Sequence, residues 1–263
     1  MLSRSPSTLR PLAIVFALSG CAGLVHEVAW ARALGQCLGN SLQSLTAVLV
    51  AFLGGLGAGA ALGARLAGRS RDPLRVYAGL EGLLALYAGL SPAVAAAIPA
   101  ILETLGPGRS SPQSLALLRL GLAFAALAIP TVLMGATFPC VVRDAVGRGA
   151  APAGAIATLY GLNTLGAALG ALTGSFVLLP LLGTRAAFVA AGLLNAAAAG
   201  SALVLGARRE AFGAEDQGAP PVGGPGRTRR LAAALTAAAS GTLGAVLQVG
   251  WTRTAAQIGR AHV

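Results

Sequence analysis

Two acidic side chains lie inside long apolar stretches of the sequence, and they are the first candidates for chemistry. Glu27 follows His26 near the end of the first stretch, and Glu81 lies early in the third. A charge in the middle of a spanning helix costs roughly 2.5–3.5 kcal/mol, so such residues usually have a functional role. Glu27 and His26 are therefore candidates for binding a cationic substrate or relaying a proton.

Structural roles compete with this interpretation. Arg32 is a possible partner of Glu27, but five residues advance a helix by about 500°, so the two share a face only if the helix ends first. An arginine from another helix is the other possible partner. Glu81 either pairs with the arginine-rich loop 65–75 or lines a cavity. The sequence leaves these alternatives open.

Other polar residues complete the candidate set. Asn163 and Asn195 are expected to form hydrogen bonds between helices more than to bind substrate. Trp30 is expected to anchor the chain at the membrane interface. The candidate substrate-binding residues are His26, Glu27, Arg32, Glu81 and Asn163.

Several other kinds of site are excluded by spacing. The three cysteines lack the spacing of metal ligands, and their odd number gives no disulfide framework. The glycines of 54–59 resemble a phosphate-binding loop, but neither the preceding strand nor the solvated helix start that such a loop needs is present. No catalytic residue, metal site or cofactor is expected in this chain.

The elements that carry these residues are membrane-spanning helices. The 263 residues are 56% hydrophobic and only 10% charged, whereas soluble domains have about 25% charged residues. A spanning helix needs about 20 mainly apolar residues. Seven segments qualify: 11–31, 43–64, 76–99, 114–142, 153–179, 183–206 and 230–250.

The arginines indicate how these segments are oriented. All 19 basic residues are arginine, and they lie mostly between the apolar segments. With the N-terminus inside, 13 arginines fall in inner segments and three in outer loops, as the positive-inside rule expects. The charge of +11 therefore indicates membrane topology and not nucleic-acid binding. The lipid bilayer is the expected partner, with the N-terminus cytoplasmic.

Small residues and prolines predict how the helices pack. Gly55, Gly59 and Gly63 recur at a spacing of four, as do Gly166, Gly170 and Gly174, which predicts two stripes of close helix contact. The segment 130–139 begins and ends with proline. A kink in the fourth helix is expected there, with a broken helix as the alternative.

A polar linker, 207–229, divides the chain, and the sequence after it repeats the beginning. Eight of the 18 residues from 19 to 36 are identical at an offset of 221, including Trp30 with Trp251 and Arg32 with Arg253. Glu27 corresponds to Gln248. Repeated halves are the plan of many secondary transporters. We expect a six-helix bundle over 1–206 and the first helix of a second half over 230–259.

The last six residues, 258–263, form a translation of a common sequencing-adapter stretch. An artificial end to a truncated gene is therefore expected at this point.

Seven short motifs lie between residues 19 and 167. They are Ser19-Gly20, Glu27-Val28-x-Trp30-x-Arg32, Gly39-x-Ser41, Phe52-Leu53-x-Gly55-Leu56-x-x-Gly59, Tyr77-x-Gly79-Leu80-Glu81, Pro130-Thr131-x-Leu133-Met134-Gly135-Ala136-Thr137-x-Pro139 and Leu159-Tyr160-x-x-Asn163-Thr164-x-Gly166-Ala167. Together they resemble the membrane half of fused major-facilitator-like/spermidine synthase proteins of bacteria, and the resemblance covers about 11–259. His26 and Gly68 depart from the pattern, which has an aromatic residue and an aspartate at these places.

The resemblance implies an all-α fold, namely a polytopic membrane helix bundle with one major-facilitator-like six-helix half and the first helix of a second. It implies as partners a C-terminal membrane half and a soluble aminopropyltransferase-like domain, both missing here. It also implies a location in the bacterial cytoplasmic membrane.

The expected function is a membrane module that anchors a spermidine synthase-like enzyme and moves a polyamine or a related cation. The alternatives are a stand-alone secondary transporter of another solute and a scaffold that transports nothing.

Overall fold

The protein was analysed as a computed structural model, which describes residues 9–38, 42–105 and 111–211. Within these ranges the chain forms helices and no strand. The elements are α1 (Leu9–Leu38), α2 (Leu42–Arg69), α3 (Pro73–Leu105), α4 (Pro112–Gly147), α5 (Pro152–Thr173), a π-helical turn (Gly174–Leu178) and α6 (Leu179–Ala211).

The helices are long and apolar enough to cross a membrane. Five continuous helical stretches in the described part meet this criterion, with mean hydropathies of 1.5 to 2.0. The expectation of an all-helical fold is confirmed for these residues, and each of the first six predicted segments falls within helix. The seventh segment, 230–250, and the second copy of the repeat, 240–257, lie outside the described residues. The predicted linker, 207–229, is described only to 211, where α6 continues through its first five residues.

Prolines mark the beginnings of three helices. Pro73, Pro112 and Pro152 each occupy the first position, where the missing amide hydrogen costs nothing and the ring presets the helical φ angle. The Ser111 hydroxyl caps α4 by accepting from the Ser114 amide at 3.2 Å. After α4 the chain turns at Gly149, whose φ of +87° suits a residue without a side chain.

The last helical stretch is long enough for two crossings of a membrane. Pro152–Arg209 is 58 residues long, which in a straight helix is about 87 Å, far beyond a hydrocarbon core of about 30 Å. Gly183 interrupts it with φ 79° and ψ 175°, and the π-helical turn immediately precedes α6. The chain reverses here, as the contacts of α5 and α6 demonstrate.

Contacts along α1 give the direction of its neighbours. Gly166 and Gly170 of α5 meet Ala17 and Cys21 in the same order, so α5 runs parallel to α1. The hydroxyls of Tyr77 and Ser19 likewise link α3 to α1 in parallel.

The remaining helices run the other way. Gly192 lies against Ala85 and Ala88, whereas Gly206 lies near Leu74, so α6 is antiparallel to α3. The partners of Gly23 and Phe16 on α4 are Met134 and Phe138, so α4 is antiparallel to α1. Since α2 runs parallel to α4, the six helices alternate in direction.

The predicted glycine stripes are confirmed as sites of direct backbone contact. A Cβ atom on Gly59 or Gly63 would overlap the backbone of Val132 or Ala136 on α4. On α5, a Cβ atom on Gly166 or Gly170 would overlap the backbone of α1. Glycine is required here because any side chain would push the helices apart.

The packing is nearly symmetric between the first three helices and the last three. Besides the α3–α6 pair, α1 packs on α5 and α6, while α4 packs on α2 and α3. Exchanging α1–α3 with α4–α6 leaves these pairs unchanged. Corresponding residues of the two halves are 111 positions apart, so Gly59 corresponds to Gly170 and Cys21 to Val132. Gly59 meets Val132, and in the same way Gly170 meets Cys21. The two halves are therefore related as an inverted repeat.

The fourth helix is continuous, so the alternative of a broken helix is wrong. α4 runs unbroken through Pro130 and Pro139. Side-chain hydroxyls donate to backbone carbonyl oxygens one turn earlier in this helix. Thr131 donates to the Leu127 oxygen at 2.6 Å, and Thr137 donates to the Met134 oxygen at 2.7 Å. The carbonyl that Pro130 leaves without an amide donor is that of Ala126, and it accepts a hydrogen bond from the Tyr87 hydroxyl on α3.

A buried ion pair joins two helix ends. Asp144 near the end of α4 is 4% exposed, and its oxygens lie 3.0 Å from Arg148 Nε and 2.8 Å from Arg209 Nη1. Arg209 belongs to the last turn of α6. The charge of Asp144 is thus paired twice, and α4 and α6 are held together at one end of the bundle.

Candidate functional site

Polar side chains are concentrated in the interface of α1, α3 and α6, which we call the polar seam. Its lower cluster, the one nearer the N-terminus of α1, consists of Ser19, Tyr77 and Glu81. The Ser19 hydroxyl donates to Glu81 Oε1 at 2.5 Å, and the Tyr77 phenol interacts with the same carboxyl group. Tyr77 is also 3.5 Å from the Val15 carbonyl oxygen. Glu81 is completely buried.

The upper cluster of the seam is built around His26. Trp30 Nε1 donates to His26 Nε2 at 3.2 Å, and Ser91 Oγ lies 3.0 Å from the same nitrogen. An indole nitrogen can only donate, so Nε2 accepts and the neutral imidazole carries its proton on Nδ1. Nδ1 is buried and has no hydrogen-bond partner among the described residues.

Aromatic rings close the upper cluster. The ring centroid of Phe188 on α6 lies 5.6 Å from that of His26 and 5.3 Å from that of Trp30, both edge to face. Tyr87 packs against both rings from α3, and its hydroxyl donates to the Ala126 carbonyl on α4. The rings contact one another directly, so the cluster is a packed core and not a cage for a cation.

Trp30 is consequently not an interface anchor, and that expectation is wrong. Its side chain is 1% exposed and belongs to a core cluster with Tyr87 and Phe188. Hydropathy places a tryptophan near a helix end but does not give the side of the helix on which it points.

Of the two alternatives for Glu81, pairing with the arginine-rich loop is wrong. Within the described part of the chain no arginine lies within ion-pair distance of its carboxyl group, and Arg75 of the adjoining loop pairs with Asp72 at 2.9 Å. Glu81 lies more than two turns inside α3, about 12 Å from its beginning. It therefore faces Ser19 and not the arginine-rich loop.

Glu27 is placed differently from its neighbour His26. His26 is fully buried in the seam, whereas Glu27 is half-buried. Consecutive residues on a helix are about 100° apart, so the structure does not bring these two candidates together. Among residues 9–38, 42–105 and 111–211, no arginine pairs with Glu27, and the expected structural ion pair is therefore not found there.

Glu27 shares the side of α1 that approaches α4. Gly23 lies one turn before Glu27, and a Cβ atom there would be 3.9 Å from Met134 Sδ. Here α1 belongs to the first half of the inverted repeat and α4 to the second.

The other two candidates lie apart from the seam. Arg32 is exposed at the far end of α1. Asn163 on α5 is half-buried, and its backbone oxygen and side-chain amide lie directly over Gly20. Its role is thus close packing against α1, next to Ser19 in sequence.

Sequence reasoning gave too little weight to the hydroxyls and to Asn195. Ser19 precedes His26 by seven residues and Tyr77 precedes Glu81 by four, spacings that keep each pair on one side of its helix. Asn195 is 1% exposed, and its Nδ2 has no partner in the described part. No group of three or more His, Cys, Asp or Glu residues is found there that could hold a metal ion.

Comparison with known proteins identifies relatives of much greater length. The chain is 32% identical over 197 residues to polyamine aminopropyltransferase 2 of Streptomyces coelicolor. The aligned region covers 74% of this chain and 33% of the relative. It is 29% identical over 192 residues to a polyamine aminopropyltransferase of Corynebacterium efficiens, with coverages of 72% and 34%. A polyamine aminopropyltransferase of Mycobacterium tuberculosis is 32% identical over 199 residues, with the same coverages.

The match is therefore partial for each relative. The chain spans about a third of the length of the curated proteins that it matches. No protein-family model matches it, and no solved structure does so.

Proposed function

We propose that this chain is the membrane-embedded part of a polyamine aminopropyltransferase-like protein, which anchors a soluble enzyme domain and moves a polyamine across the membrane. One observation carries the proposal. Relatives with that name match about three quarters of this chain but only a third of themselves, and the described part consists of helices suited to a membrane.

The bundle supports the predicted major-facilitator-like plan. Its helices alternate in direction, and the first three exchange with the last three as an inverted repeat. Nested inverted repeats of three helices are typical of major-facilitator halves. In this plan the cytoplasmic membrane of a bacterium holds the bundle with its N-terminus inside.

Glu27 is the residue best placed to meet a cationic solute. It is the acid that is only half-buried and that lies where α1 approaches α4. A polyamine consists of ammonium groups on alkyl chains, so a carboxylate on an otherwise apolar stretch of helix fits both parts.

Flux into vesicles tests the proposal. The full chain, reconstituted in liposomes, is given radiolabelled putrescine or spermidine, and uptake is compared for the wild type, Glu27→Gln and the exposed control Glu103→Gln. Charge-assisted hydrogen bonds contribute about 1.5–3 kcal/mol, so we expect Glu27→Gln to reduce uptake at low substrate concentration about tenfold to a hundredfold. Glu103→Gln should leave uptake unchanged.

Other outcomes distinguish the alternatives. Equal uptake by Glu27→Gln and the wild type removes Glu27 from the mechanism. Uptake of an unrelated solute alone favours a stand-alone transporter. If no solute moves while the longer gene product shows aminopropyltransferase activity in the membrane pellet, the helices are a scaffold.

A further inference from the structure

The lower cluster of the polar seam contains an acid whose charge nothing in its surroundings balances. Glu81 has no exposed surface, and its Oε2 atom has no hydrogen-bond partner among the described residues. An isolated carboxylate in an apolar interior costs so much solvation free energy that it binds a proton unless it is paired.

A second unpartnered polar atom lies at the same level of the seam. Phe188 on α6 packs against His26 on α1 at a centroid distance of 5.6 Å. These helices are antiparallel, so the residue seven positions after Phe188 on α6 lies beside the residue seven positions before His26 on α1, about two turns away. These two residues are Asn195 and Ser19. Ser19 is the residue that contacts Glu81.

The two unpartnered atoms are chemically complementary. Asn195 Nδ2 is a buried donor and Glu81 Oε2 is a buried acceptor, and neither has another partner in the described helices. The contacts of α6 with α3 agree with this placement, since Gly192, one turn before Asn195, lies against Ala85. An internal water or a small movement of α6 would join them.

The groups that face Glu81 are all uncharged. Ser19 faces it from α1, Tyr77 from its own helix one turn away, and Asn195 lies at its level on α6. Within the described part, no arginine or histidine from α1, α2, α4 or α6 lies within ion-pair distance of the carboxyl group. The nearest histidine in the seam, His26, is about two turns away, roughly 10 Å along the axis.

We propose that Glu81 is a proton-binding site within the membrane bundle, formed with Ser19, Tyr77 and Asn195. In the protonated state, Oε1 carries the proton and donates the hydrogen bond to Ser19 Oγ, and the Oε2 carbonyl oxygen is an acceptor for the Asn195 amide. Releasing the proton leaves an acceptor-only carboxylate, which requires the α1–α3–α6 interface to open and admit water. The site thus couples proton release to movement of these helices. It does not depend on polyamine transport.

Infrared spectroscopy of the full chain in nanodiscs tests this directly. With glutamate labelled with carbon-13, a protonated carboxyl group gives a label-sensitive C=O band separate from that of carboxylates. At neutral pH we expect one such band, lost in Glu81→Gln and retained in Glu27→Gln and Glu103→Gln. Ser19→Ala should shift the band without removing it, because a hydrogen bond to the acid is lost.

The same variants distinguish loss of the Glu81 proton from misfolding of the bundle. Glutamine resembles a neutral acid in shape and polarity, so Glu81→Gln should retain the melting temperature of the wild type. Absence of the band from the wild type at neutral pH, or its persistence in Glu81→Gln, overturns the proposal. If Glu81→Gln unfolds, failure of Ser19→Ala to shift the band overturns it instead. None of these results depends on whether a polyamine is transported.

Discussion

Glu27 on α1 and Glu81 on α3 look alike in the sequence, yet the bundle treats them differently. Glu27 is half-buried on the side of α1 that approaches α4, whereas Glu81 is sealed in the seam, where Ser19 and Tyr77 contact its carboxyl group. A half-buried acid can be reached by a solute, whereas a sealed acid must be neutral or paired. The difference separates a candidate for binding a cation from a candidate for holding a proton.

The largest expected effect comes from placing a permanent cation at each position. Glu81→Lys should destabilise the bundle by about 3 kcal/mol or more, because the charge has no partner and no path to water. Glu27→Lys should cost about 1 kcal/mol or less, since its long side chain can reach the helix end. Unfolding by denaturing detergent, followed by far-ultraviolet circular dichroism, measures both. Equal losses would erase the distinction between the two acids.

A smaller effect measures the coupling of each acid to Ser19. A double-mutant cycle with Ser19→Ala and Glu81→Gln should give a coupling free energy of about 1 kcal/mol, because the residues share a buried hydrogen bond. The matched cycle with Glu27→Gln should give a value near zero, since eight residues separate Ser19 from Glu27, about 12 Å along α1. Coupling in the second cycle and not in the first would contradict the described geometry.

The smallest effect concerns Arg32. Arg32→Gln should change stability by about 0.5 kcal/mol or less, because the side chain is exposed and pairs with neither acid in the described residues. Thermal unfolding in detergent checks this value. A loss comparable to that of Glu81→Lys would indicate that Arg32 balances a buried charge after all.

The sequence was informative about which segments are helices and which glycines contact other helices. Hydropathy and length locate the first six segments. Glycines at every fourth residue identify the helix faces of the α2–α4 and α1–α5 contacts, because only the absence of a side chain permits such close contact. These features depend on local pattern alone.

The rotation of each helix about its axis was not accessible in this way. It decides that Trp30 points into the core, that Glu81 faces Ser19 and that His26 and Glu27 diverge. Periodicity is weak in helices that are apolar all round, so the sequence does not identify the inward side. The direct ring contact of Phe188 with Trp30 and the double pairing of Asp144 are likewise properties of packing between distant segments.

The backbone contacts at the glycines have a mechanical consequence. Where Gly59 meets Val132 and Gly170 meets Cys21, no flexible side chain lies between the helices to absorb a displacement. The α2–α4 and α1–α5 pairs should therefore each move as a rigid two-helix unit. Any bending of the bundle must then take place between these two units, or in the interface that α3 and α6 form with them.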